Sequence, residues 1–143
     1  MEYIKYLQNL TECPFCSDIQ SRILLENDRA FLTYSKAPYH KNHLMIIPRR
    51  HVENIKDLTW DENIDVLTLV LAGIKSLNKI GHDDCTVLVR DGQALGKSIK
   101  HLHYNIIPGG VITDIGIDSG AREFFSGERE EILREELKKF ISF

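Results

Sequence analysis

The sequence predicts an α+β fold, with a mainly antiparallel sheet, one long helix and a C-terminal helix in a single domain over residues 1–143. Strand-like stretches occur as hairpins joined by short polar turns, and one long segment with helical spacing separates two groups of strands. A second, charged helical segment lies near the end of the chain. A length of 143 residues is enough for one domain with an adequate core.

The first half of the chain carries the hairpin and the long helix. Residues 22–34 predict a β-hairpin turning at residues 26–28, and residues 43–47 predict a strand that stops before Pro48. Thr59 and Glu62 have the spacing of a capping box that opens a helix, which Gly81 should end. We expect its core face to consist of the apolar residues at helical spacing, Ile64, Leu67, Leu71 and Ile74.

The second half adds two strands and the last helix. Residues 85–89 predict a short buried strand, and residues 101–107 alternate polar and apolar side chains as a strand does. Residues 109–125 predict no regular element. Residues 128–140 predict an amphipathic helix whose apolar side is formed by Ile132, Leu133, Leu137 and Phe140.

Composition excludes several classes of function. The net charge is -3, which gives no electrostatic case for nucleic-acid binding. No apolar run is long enough to cross a bilayer, and the start of the chain lacks the pattern of a signal peptide. We therefore expect a cytoplasmic protein with no membrane partner.

The most informative pattern is a polar strand face preceded by a loop containing glycine. His101, His103 and Asn105 share one face of the predicted strand. A neutral imidazole is a nucleophile that can form a covalent phosphoryl intermediate. The upstream loop supplies donors and tight turns that suit phosphate oxygens. Its residues with these properties are Arg90, Gly92, Gly96, Lys97 and Ser98.

A second pattern is the C-x-x-C of Cys13 and Cys16. Two such thiolates are typical of a zinc site, although the same spacing occurs in redox dithiols. The absence of a βαβ pattern around the pair disfavours the redox interpretation. Cys85 lies in a predicted strand and is expected in the core. Surface or structural roles are the default for the remaining histidines without an evident partner, His40, His43 and His82.

Residues 90–108 resemble the signature of the histidine triad family, in which H-x-H-x-H lies on a strand after a loop containing glycine. Residues 38–51 resemble a second landmark of that family, P-x-x-x-x-H-x-x-x-x-P-x-x-H. The resemblance implies that His103 attacks the α-phosphate of a nucleotide to form a nucleotidyl-histidine. It also implies a homodimer.

The resemblance further assigns roles to other positions. It implies that Arg90, Lys97 and Ser98 contact phosphate, and that Ser35 stands where relatives bind the ribose with Asn or Asp. It implies a structural zinc held by Cys13, Cys16, His51 and His101.

Asn105 departs from the family pattern, because it replaces the third histidine. An amide can donate to a phosphoryl oxygen but cannot shuttle a proton at neutral pH. The transferase branch of the superfamily has Gln at this place, so Asn105 favours nucleotidyl transfer or phosphorolysis over simple hydrolysis. A protein that binds nucleotides without turnover remains the alternative.

Overall fold

The computed structural model describes residues 2–92, 99–109 and 122–143. Two single-turn 3-10 helices, Gln20–Arg22 and Ile55–Asp57, lie before β1 and before α2. The main elements, in chain order, are α1 (Glu2–Gln8), β1 (Leu25–Glu26), β2 (Ala30–Tyr34), β3 (Leu44–Pro48), α2 (Trp60–Lys79), β4 (Cys85–Val89), β5 (Tyr104–Pro108) and α3 (Gly127–Lys138).

The strands form one antiparallel sheet in the order β1-β2-β3-β5-β4. The central strand β3 pairs with β2 on one side and with β5 on the other, where Met45 lies opposite Asn105. The α+β prediction is therefore confirmed, including the hairpin, the long helix and the C-terminal helix. Among the described residues, no helix is both long enough and apolar enough to span a bilayer.

Helix α2 begins with the capping box that the sequence predicts. The hydroxyl of Thr59 accepts from the Glu62 backbone N–H, and the Glu62 carboxylate accepts from the Thr59 N–H. Arg50 also donates twice to Glu62, and this contact holds the pKa of that carboxyl down to about 2. The pairing fixes the segment after β3 against the start of α2, and His51 lies in that segment.

The sheet has two differently covered faces. Helix α2 packs on one face so closely that a Cβ atom at Gly73 would stand 2.8 Å from Ile106 Cδ1. The N-terminal segment covers the other face, where Phe15 joins a smaller apolar cluster with Phe31, Met45 and Ile47. Because side chains alternate along a strand, His43, Met45, His103 and Asn105 belong to this second face.

The predicted core face of α2 is wrong at three of its four positions, whereas Ile74 packs against the core cluster. Ile64, Leu67 and Leu71 are 52–59% exposed, and Trp60 is 83% exposed. The helix is apolar on two sides, so its spacing alone does not say which side meets the sheet. The side that packs on the sheet carries smaller or branched residues, including Val66, Leu69, Val70, Gly73 and Leu77.

Other boundaries differ from the predictions in smaller ways. Strand β5 begins at Tyr104, so His101 and His103 lie in the segment before its ladder. Helix α3 ends at Lys138, and Ile132 on its predicted apolar side is 54% exposed. The sequence analysis did not predict α1.

Candidate active site

Two distant segments of the chain meet where β5 begins. The Leu102 N–H donates to the Val52 carbonyl at 2.8 Å, which joins the segment after β3 to the segment before β5. The neighbouring residues His51 and His101 consequently face each other, with ring centroids 4.7 Å apart. A local backbone pairing thus brings together two histidines 50 positions apart in sequence.

The two cysteines reach the same point from the N-terminal segment. A tight turn, in which the Cys13 carbonyl accepts from the N–H groups of Cys16 and Ser17, directs both thiols to one side. Cys13 Sγ and Cys16 Sγ each lie 3.4 Å from His101 Nδ1, and Cys16 Sγ lies 3.3 Å from His51 Nδ1. The four potential ligand atoms all lie within 4.8 Å of one another.

This cluster has the chemistry and spacing of a tetrahedral zinc site. Zinc bonds of about 2.3 Å to sulfur and 2.0–2.1 Å to nitrogen place tetrahedral S and N ligands about 3.5 Å apart. His101 Nε2 donates to the Pro48 carbonyl at 2.7 Å, so its Nδ1 lone pair points to the thiols. Without a cation, burial and the Cys13 partner raise the pKa of Cys16 to about 11. A dication would reverse that effect and favour the thiolates.

The backbone fixes the proton of His103. His103 Nδ1 lies 2.8 Å from the carbonyl oxygen of His101, which can only accept, so Nδ1 carries the proton of the neutral ring. The lone pair is then on Nε2. The ring is half-buried and packs edge-on to Phe15, with centroids 5.3 Å apart. His101 therefore orients His103 through its carbonyl while its own side chain joins the cysteines.

Asn105 is oriented by a histidine that the sequence analysis left without a role. The Tyr39 N–H donates to His43 Nδ1 at 3.2 Å, so His43 Nε2 carries the proton and donates to Asn105 Oδ1 at 3.0 Å. Asn105 Nδ2 donates to the Leu88 carbonyl at 3.4 Å, and its second hydrogen has no acceptor within residues 2–92, 99–109 and 122–143. Burial lowers the pKa of His43 to about 3, so the ring stays neutral.

His103 and Asn105 line one cleft of the protein. Ser35 and Arg90 also line it, and Gly92 has a positive φ of 103° in the turn just after Arg90. Arg90 makes no hydrogen bond or ion pair within residues 2–92, 99–109 and 122–143. The predicted phosphate-binding residues Gly96, Lys97 and Ser98 lie outside the described residues.

The cleft contains further polar residues that the sequence analysis missed. His43 belongs to the second landmark, and its position two residues before Met45 on the cleft face was the available signal. Arg22, Lys36 and Arg122 also line the cleft, but they come from three separate parts of the chain and share no motif. Only the folded structure brings them together.

Comparison with known proteins identifies the family. The HIT domain model matches residues 17–111, so this chain belongs to the HIT family, as the two sequence landmarks predict. The chain is 32% identical over 91 residues to a bis(5'-adenosyl)-triphosphatase of Dictyostelium discoideum. That match covers 62% of this chain and 60% of the relative.

A second relative is an AP-4-A phosphorylase of Mycobacterium tuberculosis, 27% identical over 119 residues, or 80% of this chain and 61% of the relative. The chain thus spans about three-fifths of the length of these two enzymes. Among solved structures, a histidine triad nucleotide-binding protein of Sulfolobus tokodaii superposes with a TM-score of 0.72 at 26% identity. The superposition covers 90% of this chain and 91% of that protein.

Proposed function

We propose that this protein is a nucleotide hydrolase or nucleotidyltransferase that acts at the α-phosphate of a dinucleoside polyphosphate or a nucleoside phosphoramidate. The observation that carries the proposal is the hydrogen bond from His103 Nδ1 to the His101 carbonyl. It leaves the nucleophilic lone pair on Nε2 of a residue that lines a cationic cleft. The names of HIT relatives that act on adenosine nucleotides support the substrate class.

The proposed chemistry has two displacements. His103 Nε2 attacks the α-phosphorus, and the bond from phosphorus to the leaving group breaks with its electron pair on the leaving group. Water or another acceptor then attacks the same phosphorus, and the P–N bond breaks to return the electron pair to Nε2. Arg90 and the Nδ2 hydrogen of Asn105 would stabilise the negative charge on the phosphoryl oxygens in both steps.

Other predicted residues take positioning roles in this proposal. Ser35 would hydrogen-bond a ribose hydroxyl, and Gly92 would let the backbone approach the phosphates. Gly96, Lys97 and Ser98 remain proposed phosphate contacts on the resemblance alone. Asn105 cannot deliver a proton to the leaving group. This favours the dinucleoside polyphosphate, whose leaving phosphate departs as an anion, over the phosphoramidate, whose amine must take a proton from water, and it favours an acceptor such as inorganic phosphate.

We also propose a structural zinc bound by Cys13, Cys16, His51 and His101. When bound, zinc supplies a cross-link between the N-terminal turn and the two segments that meet at β5. His101 then has its ring fixed from two sides, because Nε2 already donates to Pro48. A rigid His101 keeps its carbonyl in place for His103, so the metal centre would act on the chemistry only by positioning.

The homodimer expected from the family remains a proposal, and the exposed stripe on α2 favours it. Trp60, Ile64, Leu67 and Leu71 follow the 4-3-4 spacing of a helix-pairing seam. A second copy of this helix would cover the stripe. Leu67→Asp should yield monomers in sedimentation while leaving the fold intact; a wild-type monomer at micromolar concentration would contradict the dimer.

The alternative function is nucleotide binding without turnover. Incubation with a dinucleoside polyphosphate and with adenosine 5'-phosphoramidate, each with and without inorganic phosphate, separates the two. We expect a nucleoside monophosphate as product with water, and from the polyphosphate a nucleoside diphosphate with phosphate. Tight binding with no product in any mixture would establish the alternative instead.

A further inference from the structure

Three cationic side chains lie around the short segment 34–37, which contains Ser35. Arg22 Nη2 donates to the Tyr34 carbonyl at 3.4 Å, and Arg122 Nη1 donates to the Ala37 carbonyl at 2.7 Å. Lys36 follows Ser35 directly in the chain. All three line the same cleft as Ser35, so positive charge flanks this serine on both sides along the backbone.

The charges around Ser35 are not balanced within the described residues. Glu130 is the one carboxylate near them: Oε1 lies 3.2 Å from Arg22 Nε, and Oε2 lies 3.4 Å from Lys36 Nζ. Arg122 has no ion pair within residues 2–92, 99–109 and 122–143, and its Nε is buried without a hydrogen-bond partner. The cation of Arg122 instead lies 4.0 Å from the Tyr39 ring centroid and 5.0 Å from that of Tyr3.

The surroundings strengthen this excess of positive charge. The side chains of Arg22, Lys36 and Glu130 are only 9–18% exposed, so water screens their field weakly. The described lining of the cleft contains four cations, with Arg90 as the fourth, and no Asp or Glu. In the proposed reaction, Arg90 neutralises the phosphate at the reacting centre. The positive charge of Arg22, Lys36 and Arg122 around Ser35 then has no negative group of the nucleotide opposite it.

Ser35 itself suits a phosphate better than an acidic residue would. In dinucleotide-binding proteins a carboxylate accepts from the free ribose hydroxyl, whereas a nearby cation accommodates a phosphate on the ribose. Ser35 is uncharged, and its Oγ accepts from the Ala37 N–H at 3.2 Å, so its hydroxyl hydrogen can point to an anion. The position proposed to meet the ribose therefore has a donor and three cations.

We propose that the preferred substrate carries an additional phosphate on its ribose, at the 2' or the 3' position, and that Ser35, Lys36 and Arg122 bind it. This inference rests on the proposed function, because that function places the ribose at Ser35. The ribose phosphate would add charge-assisted hydrogen bonds that a plain nucleotide cannot make. Such contacts should tighten binding by roughly tenfold or more.

Titration calorimetry with four nucleotides tests this assignment on the complete protein. The probes are adenosine 5'-monophosphate, adenosine 2',5'-bisphosphate, adenosine 3',5'-bisphosphate and adenosine 5'-diphosphate. We expect one bisphosphate to bind at least tenfold more tightly than both the monophosphate and the diphosphate, and the stronger one identifies the position. The diphosphate controls for total charge, because it has two phosphates but none on the ribose.

Substitutions locate the effect. Lys36→Gln and Arg122→Gln should each lower the ratio of bisphosphate to monophosphate affinity toward one. Lys75→Gln on the exposed side of α2 removes one charge elsewhere and should keep the ratio. Ser35→Asp should reverse the preference, because a carboxylate repels phosphate and accepts from a ribose hydroxyl.

The outcomes separate this inference from the function on which it rests. Equal affinities for the bisphosphates and the diphosphate would overturn the ribose-phosphate site, while binding and turnover of plain nucleotides would leave the proposed function intact. A preference that survives in Lys36→Gln and Arg122→Gln would overturn the assigned residues. If none of the four nucleotides binds, the proposed function fails as well.

Discussion

His101 and His103 are separated by one residue, yet they belong to two different chemical environments. His101 is fully buried, with its Nδ1 facing two thiols and its Nε2 on a backbone carbonyl. His103 is half-buried and lines the cleft, and its Nδ1 donates to the His101 carbonyl. We propose that the same residue type is a zinc ligand at one position and a nucleophile at the other, because the backbone hydrogen bond of each ring fixes which of its nitrogens carries the proton.

The two environments are connected by a backbone hydrogen bond and by Phe15, whose ring packs edge-on to both His101 and His103. The His101 carbonyl accepts from His103, so disorder at the Cys/His cluster would reach the cleft. Within the described residues, the Asn105 side chain is held by His43 and the Leu88 carbonyl and has no hydrogen bond to the Cys/His cluster. Changes in the cleft should therefore alter the chemistry alone, whereas changes in the cluster should alter stability first and the chemistry through it.

Among the substitutions considered, the loss of His103 from the cleft should have the largest effect on turnover. His103→Ala should lower turnover by about 10³-fold or more while retaining nucleotide binding, because no neighbouring group can replace the imidazole lone pair. Steady-state rates and a binding titration measure the two quantities separately. His82→Ala, which removes a histidine that contacts Asn42 outside the cleft, is the matched control. A His103→Ala rate within tenfold of the wild type would contradict the assignment.

Substitutions in the Cys/His cluster should lower the thermal stability of the protein. Purified protein should contain about one zinc per chain, and Cys13→Ser should lose the metal and lower Tm by about 10 °C, since structural zinc contributes to folding free energy. Metal analysis and thermal unfolding give both values. Cys85→Ser removes a thiol that packs against the core instead, and should keep its zinc. Wild-type protein prepared without chelator and lacking zinc would refute the site.

A pH-dependent effect should come from His43. Its pKa is about 3 in the folded state, against an ordinary value of 6.5, because of burial, with Arg122 and His103 acting in the same direction and Asn105 opposing them. Below pH 6.5 the unfolded chain takes up a proton that the folded chain does not, so stability falls as pH falls toward 3. At pH 5 this costs about 2 kcal/mol.

His43→Gln removes this titration. Urea unfolding at pH 7 and pH 5 should show the wild type losing about 2 kcal/mol more stability than the variant between the two values. Equal losses in both proteins would mean that His43 is not held neutral by the fold.

Removing His43 should have the smallest effect on kcat, and it tests whether His43 acts by positioning Asn105 or by contacting the nucleotide itself. His43→Leu should lower kcat by about tenfold with a smaller change in KM, because the Asn105 amide loses the donor that fixes its orientation. Asn105→Ala should lower kcat at least as much. If His43 acts only through Asn105, adding His43→Leu to Asn105→Ala should cause little further loss. Additive losses would give His43 a role of its own.

The sequence predicted the parts of the molecule that have a local signal. The capping box of Thr59 and Glu62, the hairpin and the two landmarks could all be identified from spacing, and family resemblance supplied the partners of Cys13 and Cys16. The core face of α2 could not be predicted, because Ile64 and Leu67 are as apolar as the residues that pack on the sheet. The cations around Ser35 come from residues 22, 36 and 122, and no local pattern relates them.

Capture of a nucleotidyl group on His103 tests whether this residue is the nucleophile. The protein is mixed briefly with a labelled adenosine nucleotide, denatured without acid, digested and analysed by mass spectrometry. We predict one nucleotidyl group on the peptide that contains His103, absent from His103→Ala and formed at a rate compatible with turnover. Wild-type turnover without any adduct on His103, at a rate matched by His103→Ala, would contradict it.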